Sequence, residues 1–287
     1  MTALTHGEAV VAGIRLHYVS SGDGPLVVLL HGFPEFWYSW RHQLAPLAEA
    51  GFRALALDLR GYNQSEKPRG VSSYRTAKLV ADVAGLICIL GGAPAVVVGH
   101  DWGGLIAWRL AALRPELVGK LVVLNAPHPR AFLAELKRSP SQWLRSSYAL
   151  FFQLPWLPEL AIRAKDFALL KRTFRSQPAK TGAFTESEIE EYKCALDRPY
   201  GLTGPLNYYR AAVRWSSDLY AEPQNVTAPA MLMWGQQDPF LNPQLTKGLE
   251  RWAPLVRVEP NNDASHWIQN ESPQWVNSLL IDFIRMV

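Results

Sequence analysis

Short apolar runs recur along the first half of the chain, and segments of helical length separate them. The runs cover residues 26–30, 53–57, 95–98 and 121–124. Uninterrupted apolar runs of this length are typical of strands that are buried on both faces of a sheet. The intervening segments cover residues 39–50, 77–90 and 105–113. Such alternation predicts an α/β fold with a mostly parallel sheet and helices on both faces.

The alternation is interrupted in the middle of the chain. From residue 129 to about 220 the sequence carries helix-like segments broken by prolines, with no buried-strand run. Strand character returns at residues 230–234 and 256–258, before a last predicted helix at 273–284. We therefore predict one core with a helical insertion. The first core part, the insertion and the second core part are predicted to cover residues 1–128, 129–220 and 221–287.

Composition excludes several classes of protein. Hydrophobic residues make up 48% of the 287 residues and charged residues 19%, which excludes a disordered chain. Cys88 and Cys194 have no partner at ligand spacing, so neither a disulfide framework nor a zinc site is expected. No apolar run reaches the roughly 18–20 residues of a membrane span, and the N-terminus lacks the features of a signal peptide. A cytoplasmic protein is the expectation.

The positive charge of the chain belongs to the predicted insertion. The formal net charge is +4, with 14 basic and 9 acidic residues in the insertion against 15 and 16 elsewhere. The basic residues are dispersed, and short pairs such as Lys137 and Arg138 are typical of solvated helix faces. A nucleic-acid partner is therefore not expected.

The segment most informative about chemistry runs from a predicted strand into a predicted helix. Gly99, Asp101 and Gly103 fit the Gly-x-nucleophile-x-Gly turn, with Asp where lipases and esterases have Ser. The glycines allow the tight turn, and the helix N-terminus favours negative charge. An ionised carboxylate can displace a leaving group from an sp³ carbon and form an ester. The alternative interpretation is an Asp that only caps the helix.

Hydrolysis of such an ester needs a histidine that activates water and an acid that orients the histidine. This turn type places the nucleophile, the acid and the histidine in that order, and His266 is the only histidine after the insertion. Asp238, just beyond the predicted strand at 230–234, is the predicted acid. The competing position after the preceding strand is Asn125, which carries no charge, and Asp263 lies too close to His266 in sequence.

The hydrolytic step also needs two N–H donors for an oxyanion. One is the amide after the nucleophile, here Trp102, and the other comes from the loop after an early strand. The loop at residues 31–35 follows the first predicted strand, and Phe33 is the predicted donor. The Phe33–Pro34 bond is a candidate for the cis form.

These residues resemble the α/β-hydrolase superfamily and, within it, the soluble epoxide hydrolases. The resemblance covers nearly the whole chain. It includes His31-Gly32-Phe33-Pro34-Glu35, His100-Asp101-Trp102-Gly103-Gly104, Asp238 and His266. The resemblance implies the α/β-hydrolase fold, in which the insertion is a helical cap.

The resemblance also implies two cap tyrosines that hydrogen-bond and protonate the epoxide oxygen. By their register in two family motifs, Tyr209 and Tyr148 take this role. A phenol suits it, because its pKa near 10 keeps the proton available for an alkoxide. Asn63 and Ser265 depart from the family pattern, which often has Gly at both positions, but neither touches a predicted catalytic role.

The expected activity is hydrolysis of an epoxide to a vicinal diol through an ester of Asp101, without a metal or an organic cofactor. A haloalkane or haloacid dehalogenase is the alternative, since these enzymes use the same aspartate. Phe33 stands where many haloalkane dehalogenases have Asn, and Trp102 where fluoroacetate-type enzymes often have Arg. A third possibility is a non-catalytic binding protein of this fold, although such proteins commonly lose one catalytic residue.

The expected substrate is a small apolar epoxide. The predicted substrate contacts are Phe33, Trp102, Tyr148, Tyr209 and Trp267. Further aromatic residues expected around an apolar pocket are Trp37, Phe151 and Trp156. These residues do not distinguish aryl from fatty-acyl epoxides, and the sequence indicates no oligomeric state.

Overall fold

Eight strands form one sheet in the computed structural model, which describes residues 3–286. The strands are β1 (Thr5–Val11), β2 (Ile14–Ser21), β3 (Leu26–Leu30), β4 (Arg53–Leu57), β5 (Ala95–His100), β6 (Val118–Leu124), β7 (Ala230–Gly235) and β8 (Val256–Asn261). Their order across the sheet is β1-β2-β4-β3-β5-β6-β7-β8. Every pair of neighbouring strands in the part of the sheet from β4 across β3 to β8 is parallel. This confirms the predicted α/β fold with a mostly parallel sheet.

Twelve α-helices accompany the sheet in this part of the chain. They are α1 (Arg41–Glu49), α2 (Thr76–Ile89), α3 (Trp102–Leu113), α4 (Pro129–Arg138), α5 (Pro140–Arg145), α6 (Tyr148–Phe151), α7 (Leu157–Ser176), α8 (Glu186–Asp197), α9 (Thr203–Arg214), α10 (Ser217–Tyr220), α11 (Ile268–Glu271) and α12 (Pro273–Arg285). Short 3₁₀ turns cover Trp37–Trp40, Val71–Tyr74, Pro115–Leu117, Pro243–Thr246 and Leu249–Arg251. None of the helices described here combines the length and hydropathy needed to cross a membrane.

The apolar strands place alternate side chains on opposite faces of the sheet. On β3, Val28 packs into one buried cluster, which also contains Ile106 of α3. Its neighbour Leu29 packs into a second cluster, with Leu44 of α1 and Leu280 of α12. Because helices cover both faces of the sheet, the parallel strands are continuous apolar runs in the sequence.

The sheet has two strands that the apolar runs did not predict. β1 and β2 form an antiparallel hairpin at one edge, and β2 also pairs antiparallel with β4. Several residues of β1 are exposed, so this strand lacks the continuous apolar run of a strand covered on both faces. His6 and His17 lie on these two strands. His17 is buried, and its Nδ1 lies 2.7 Å from Oδ2 of Asp58.

Seven helices, α4 to α10, lie between β6 and β7, in the segment where the prolines and the missing strand pattern indicated an insertion. Ion pairs connect these helices to the core, including one at α8 and one at α10. Arg41 Nη2 lies 2.7 Å from Oε1 of Glu188, and Arg75 Nη2 lies 2.8 Å from Oδ1 of Asp218. Residues 164–167 interrupt α7 with a non-helical backbone.

Candidate active site

Asp101 sits on a sharp turn between β5 and α3. Its backbone has φ 50° and ψ −118°, a conformation that non-glycine residues rarely adopt. The turn leaves no room for side chains around it. A Cβ on Gly32 would lie 2.3 Å from Cβ of Asp101, and one on Gly103 would lie 2.2 Å from the Leu30 carbonyl oxygen. The turn therefore requires glycine at both positions and holds the carboxylate at the carboxyl end of the parallel sheet.

The two oxygens of the Asp101 carboxylate have different surroundings. The backbone N–H of Phe33 donates to Oδ1 at 2.8 Å, whereas Oδ2 lies 3.8 Å from Nε2 of His266. Trp102 is the first residue of α3, so its N–H belongs to the amides that lack an acceptor within the helix. The structure thus places the Phe33 N–H on the Asp101 carboxylate, whereas Trp102 follows Asp101 in the chain and its role as the second oxyanion donor stays a prediction. The Phe33–Pro34 bond is cis.

His266 lies between the carboxylates of Asp101 and Asp238. It is buried in the loop between β8 and α11, and its Nδ1 lies 2.7 Å from Oδ2 of Asp238. Burial opposes the charged imidazolium, but Asp238 and its hydrogen bond, together with Asp101 and Glu35, outweigh burial and raise the pKa of His266 to about 9. A protonated His266 is therefore the ground state at neutral pH.

Asp238 is held by a set of donors that keeps it ionised. Burial disfavours its charge, but His266, the side-chain amide of Asn125 and the Phe240 N–H lower the pKa of Asp238 below its usual value. The Asn125 amide donates to Oδ2 at 2.8 Å, and the amides of Phe240 and Leu241 donate to Oδ1 at 2.7 and 3.0 Å. Asn125, the competing position for the acid in the sequence, is thus a hydrogen-bond donor to Asp238.

A second buried carboxylate, that of Glu35, lies behind His266, and no role for it was predicted. Glu35 Oε2 lies 2.8 Å from Nδ1 of His100, and Nε2 of His100 lies 2.9 Å from the backbone oxygen of His266. Burial opposes the charge, but His100 and the hydroxyl of Ser39 lower the pKa of Glu35. This pair holds the His266 loop. In the sequence, the indication of this role is that Glu35 is the acidic residue at the end of the motif from His31 to Glu35.

The two cap tyrosines face the same space as Asp101. Tyr209 on α9 packs edge to face on Trp102, with ring centroids 5.0 Å apart, and its ring lies 5.9 Å from that of Tyr148 on α6. Burial and the nearby Asp101 carboxylate raise the pKa of both phenols, so they remain protonated. The neighbouring Tyr208 is directed elsewhere, since its hydroxyl donates to the Arg60 carbonyl at 2.7 Å.

Two largely apolar cavities meet at these residues. One has a volume of about 260 Å³ and the other about 240 Å³, and Asp101, Tyr148 and Tyr209 line both. Trp102 lines the first cavity. Phe33, Phe151, His266 and Trp267 line the second. All five predicted substrate contacts therefore line a cavity.

Two of the aromatic residues that were expected around an apolar pocket lie elsewhere. Trp37 packs against Phe36, with ring centroids 6.0 Å apart, and Trp156 is 75% exposed. Neither side chain lines the two cavities among the described residues. Aromatic composition alone could not distinguish pocket walls from the core beneath them or from the outer surface.

Within residues 3–286, no group of three or more His, Cys, Asp or Glu side chains is arranged to hold a metal ion. Near Asp101, His266 is hydrogen-bonded to Asp238, which orients it, and the Phe33 N–H binds the Asp101 carboxylate. That the reaction needs no cofactor stays a prediction.

Comparison with known proteins agrees with this geometry. Residues 25–273 match the family model for the alpha/beta hydrolase fold. The chain is 44% identical over 277 residues to the AB hydrolase superfamily protein YfhM of Bacillus subtilis, across 95% of both proteins. It is 40% identical to epoxide hydrolase 4 of Mus musculus, across 96% of this chain and 77% of that protein.

The backbone is also similar to that of a solved structure. The epoxide hydrolase of Bacillus megaterium in complex with an inhibitor has a TM-score of 0.89 and 34% identity, across 98% of this chain and 100% of that chain. The chain therefore belongs to the epoxide hydrolase family of the α/β-hydrolase fold. The resemblance drawn from its motifs is confirmed.

Proposed function

We propose that this protein is an epoxide hydrolase that adds water to an epoxide through an ester of Asp101 and releases a vicinal diol. The environment of Asp101 carries the proposal. The Phe33 N–H binds Oδ1, His266 faces Oδ2, and two protonated tyrosines line the same cavities. Membership of the epoxide hydrolase family supports the activity itself.

In the first half-reaction, Oδ2 of Asp101 attacks an epoxide carbon. The bond between that carbon and the ring oxygen breaks, and its electron pair stays on the oxygen. Tyr209 or Tyr148 donates its hydroxyl proton to this oxygen, which is a far stronger base than a phenolate. Because Oδ1 is bound to the Phe33 N–H, Oδ2 is the free nucleophile, and Oδ1 becomes the carbonyl oxygen of the ester.

In the second half-reaction, Nε2 of His266 takes a proton from water, and the water oxygen adds to Cγ of Asp101. The charge that develops on Oδ1 is stabilised by the N–H groups of Phe33 and Trp102. The alcohol oxygen of the ester leaves with the proton held by His266, and the second proton of the water returns to the tyrosinate. One oxygen of the carboxylate now comes from water.

The chain divides in this proposal as the sequence predicts. Residues 1–128 and 221–287 are the proposed core, which carries Asp101, Asp238 and His266, and residues 129–220 are the proposed cap, which carries the tyrosines. Residues 1, 2 and 287 of this division lie outside the described residues. The apolar walls of both cavities support a small apolar epoxide as the substrate.

Replacing Tyr209 by Phe is expected to lower the rate of ester formation about 100-fold, because one proton donor to the epoxide oxygen is lost. Stopped-flow quenching of tryptophan fluorescence measures this step, since Trp102 lies against the tyrosine. Tyr208→Phe is the matched control on the same helix. It removes a buried hydrogen bond to Arg60, so we expect lower stability and an unchanged rate. Equal rate losses in both variants would contradict the assignment.

The titration of His266 should depend on the charge of Asp101. The Asp101 carboxylate is one of the groups that raise the pKa of His266 to about 9, so the Asp101→Asn variant should lower that pKa. Because the folded-state pKa is raised, protonation of His266 stabilises the fold fully below its ordinary value of 6.5, and this stabilisation is lost as the pH rises through about 9. NMR of imidazole-labelled protein measures the shift. An unchanged pKa in the variant would contradict the coupling.

The same coupling frees His266 when it is needed as a base. Ester formation removes the Asp101 charge, so the pKa of His266 falls and the imidazolium releases its proton to solvent. The neutral imidazole can then accept a proton from water, and His266 takes up a proton from solvent again once the Asp101 carboxylate is restored. Single-turnover hydrolysis of the ester should therefore reach its plateau at a lower pH than the titration of the free enzyme.

A paired assay tests the proposed function against its rival. The wild-type protein is incubated with aryl, alkyl and fatty-acyl epoxides and with haloalkanes and haloacids of similar size, and diol and halide are both measured. We expect diol from epoxides and no halide release. Halide release without diol would establish the dehalogenase alternative, and neither product would favour a binding protein.

A further inference from the structure

One segment of the cap exposes an unusual share of apolar side chains. Of the fifteen large hydrophobic residues that are exposed within residues 3–286, eight lie between positions 143 and 169. Leu144 is 77% exposed, Trp156 75% and Leu160 62%. Scattered apolar side chains are normal on a protein surface, whereas a concentration in one short segment marks an interaction site. We call the exposed side chains of residues 137–172 the cap face.

The cap face also carries the whole positive charge of the cap. Residues 137–172 contain seven basic and two acidic residues, whereas the rest of the cap contains seven of each. Both acids are already paired, Glu159 with Arg210 and Asp166 with lysines of the cap. Four exposed cations make no ion pair with any residue that the structure describes, namely Lys137, Arg138, Lys165 and Arg172.

Both cavities reach the surface at this face. Trp143 and Leu150 line the first cavity, Leu169 lines the second, and all three are exposed. The apolar surface is therefore continuous with the apolar walls that lead to Asp101.

We propose that the cap face docks on the surface of an anionic lipid bilayer. Exposed Trp and Leu interleaved with Lys and Arg are the composition of segments that lie in a membrane interface. Anionic lipids complement the unpaired cations. A second copy of the chain fits less well, because two cap faces with a net charge of +5 each would repel one another.

Docking would bring the cavity openings to the bilayer, where an apolar epoxide dissolves. This consequence rests on the proposed function, but the binding itself does not. The two claims can fail separately, since one is measured with vesicles alone and the other by diol formation.

Co-sedimentation with vesicles tests the proposal. The wild-type protein is mixed with vesicles of phosphatidylcholine containing phosphatidylglycerol, and with vesicles of phosphatidylcholine alone. We expect partitioning onto the anionic vesicles to be at least about tenfold stronger and to weaken as salt is added. Equal partitioning onto both, or none onto the anionic vesicles, would overturn the proposal.

A double variant with a matched control tests whether the apolar side chains of the cap face contact the bilayer. Trp156→Gln with Leu160→Gln removes two exposed apolar side chains that line neither cavity, and should weaken partitioning at least about tenfold. The control replaces Val10 and Leu255, which are 64% and 59% exposed elsewhere, by Gln. Partitioning that falls equally in test and control would contradict docking through the cap face.

Charge is tested in the same way. Lys137→Gln with Arg138→Gln should weaken partitioning onto anionic vesicles about tenfold, whereas Lys247→Gln with Arg251→Gln, on the core, should leave it unchanged. Diol formation from a water-soluble epoxide should be the same in all of these variants. If light scattering instead finds a dimer that the Trp156 variant disperses, the face is a self-interface and the lipid proposal is wrong.

Discussion

Replacing Asp101 by Ala should abolish epoxide turnover, with a loss of at least about 10⁴-fold, because no other group can form the ester. The surroundings of this carboxylate distinguish its two oxygens. Its Oδ1 is fixed by the Phe33 amide and its Oδ2 lies free beside two proton donors. The measurements are diol formation and the mass of the protein after mixing with excess substrate, which should show no adduct.

The Asp101→Ala variant needs a check that the fold and the cavities survive. Aspartate and alanine share the strained backbone of this turn, so the expected loss of stability comes from the hydrogen bond between the Phe33 N–H and Oδ1 and is about 1 kcal/mol. Asp101→Asn keeps the volume and should show the same initial loss of turnover. Both variants should still bind the diol product, measured by tryptophan fluorescence. A variant that binds product and retains even 1% of turnover would contradict a covalent route through Asp101.

The second large effect concerns His266. Its replacement by Gln should leave ester formation almost intact and slow ester hydrolysis about 10³-fold or more, since the base that activates water is lost. The kinetic signature is a burst of substrate consumption equal to the enzyme concentration, without a matching burst of diol. Mass spectrometry should find one substrate added to the protein, on the peptide that contains Asp101.

His128→Gln provides the control for this experiment. His128 is also buried, but it caps α4 and its Nε2 lies 3.1 Å from the Gln224 carbonyl oxygen, away from the nucleophile. We expect this variant to lose stability and to keep its turnover without a trapped adduct. If His266→Gln turns over normally, or stalls before any adduct forms, His266 is not the base for ester hydrolysis.

Much of the fold could be predicted from the sequence because the physical signals are local. Strands covered on both faces must be apolar along their length, and β3 and β4 begin and end at the predicted residues. The turn around Asp101 is likewise a local signal, since its glycines are needed where a Cβ would collide with neighbouring backbone. The hairpin of β1 and β2 escaped prediction because an edge strand is only partly buried.

The rest of the site depends on contacts between distant parts of the chain. Glu35 meets His100 across 65 residues, and Asn125 meets Asp238 across 113. Nothing in the local pattern around these residues distinguishes a buried hydrogen-bond partner from a solvated one. The same limit applies to Trp156, whose aromatic character indicated a pocket although the fold exposes it. Only the packing of helices α4 to α10 against the rest of the chain decides such cases.

The most direct test of the account is a single turnover in ¹⁸O-labelled water with the enzyme in excess. If Asp101 forms an ester, the diol of the first turnover takes its second oxygen from the unlabelled carboxylate. The label then appears in Asp101, where peptide mass spectrometry finds it. A first-turnover diol that carries ¹⁸O, with an unlabelled Asp101, would show that water attacks the epoxide directly and would contradict the account.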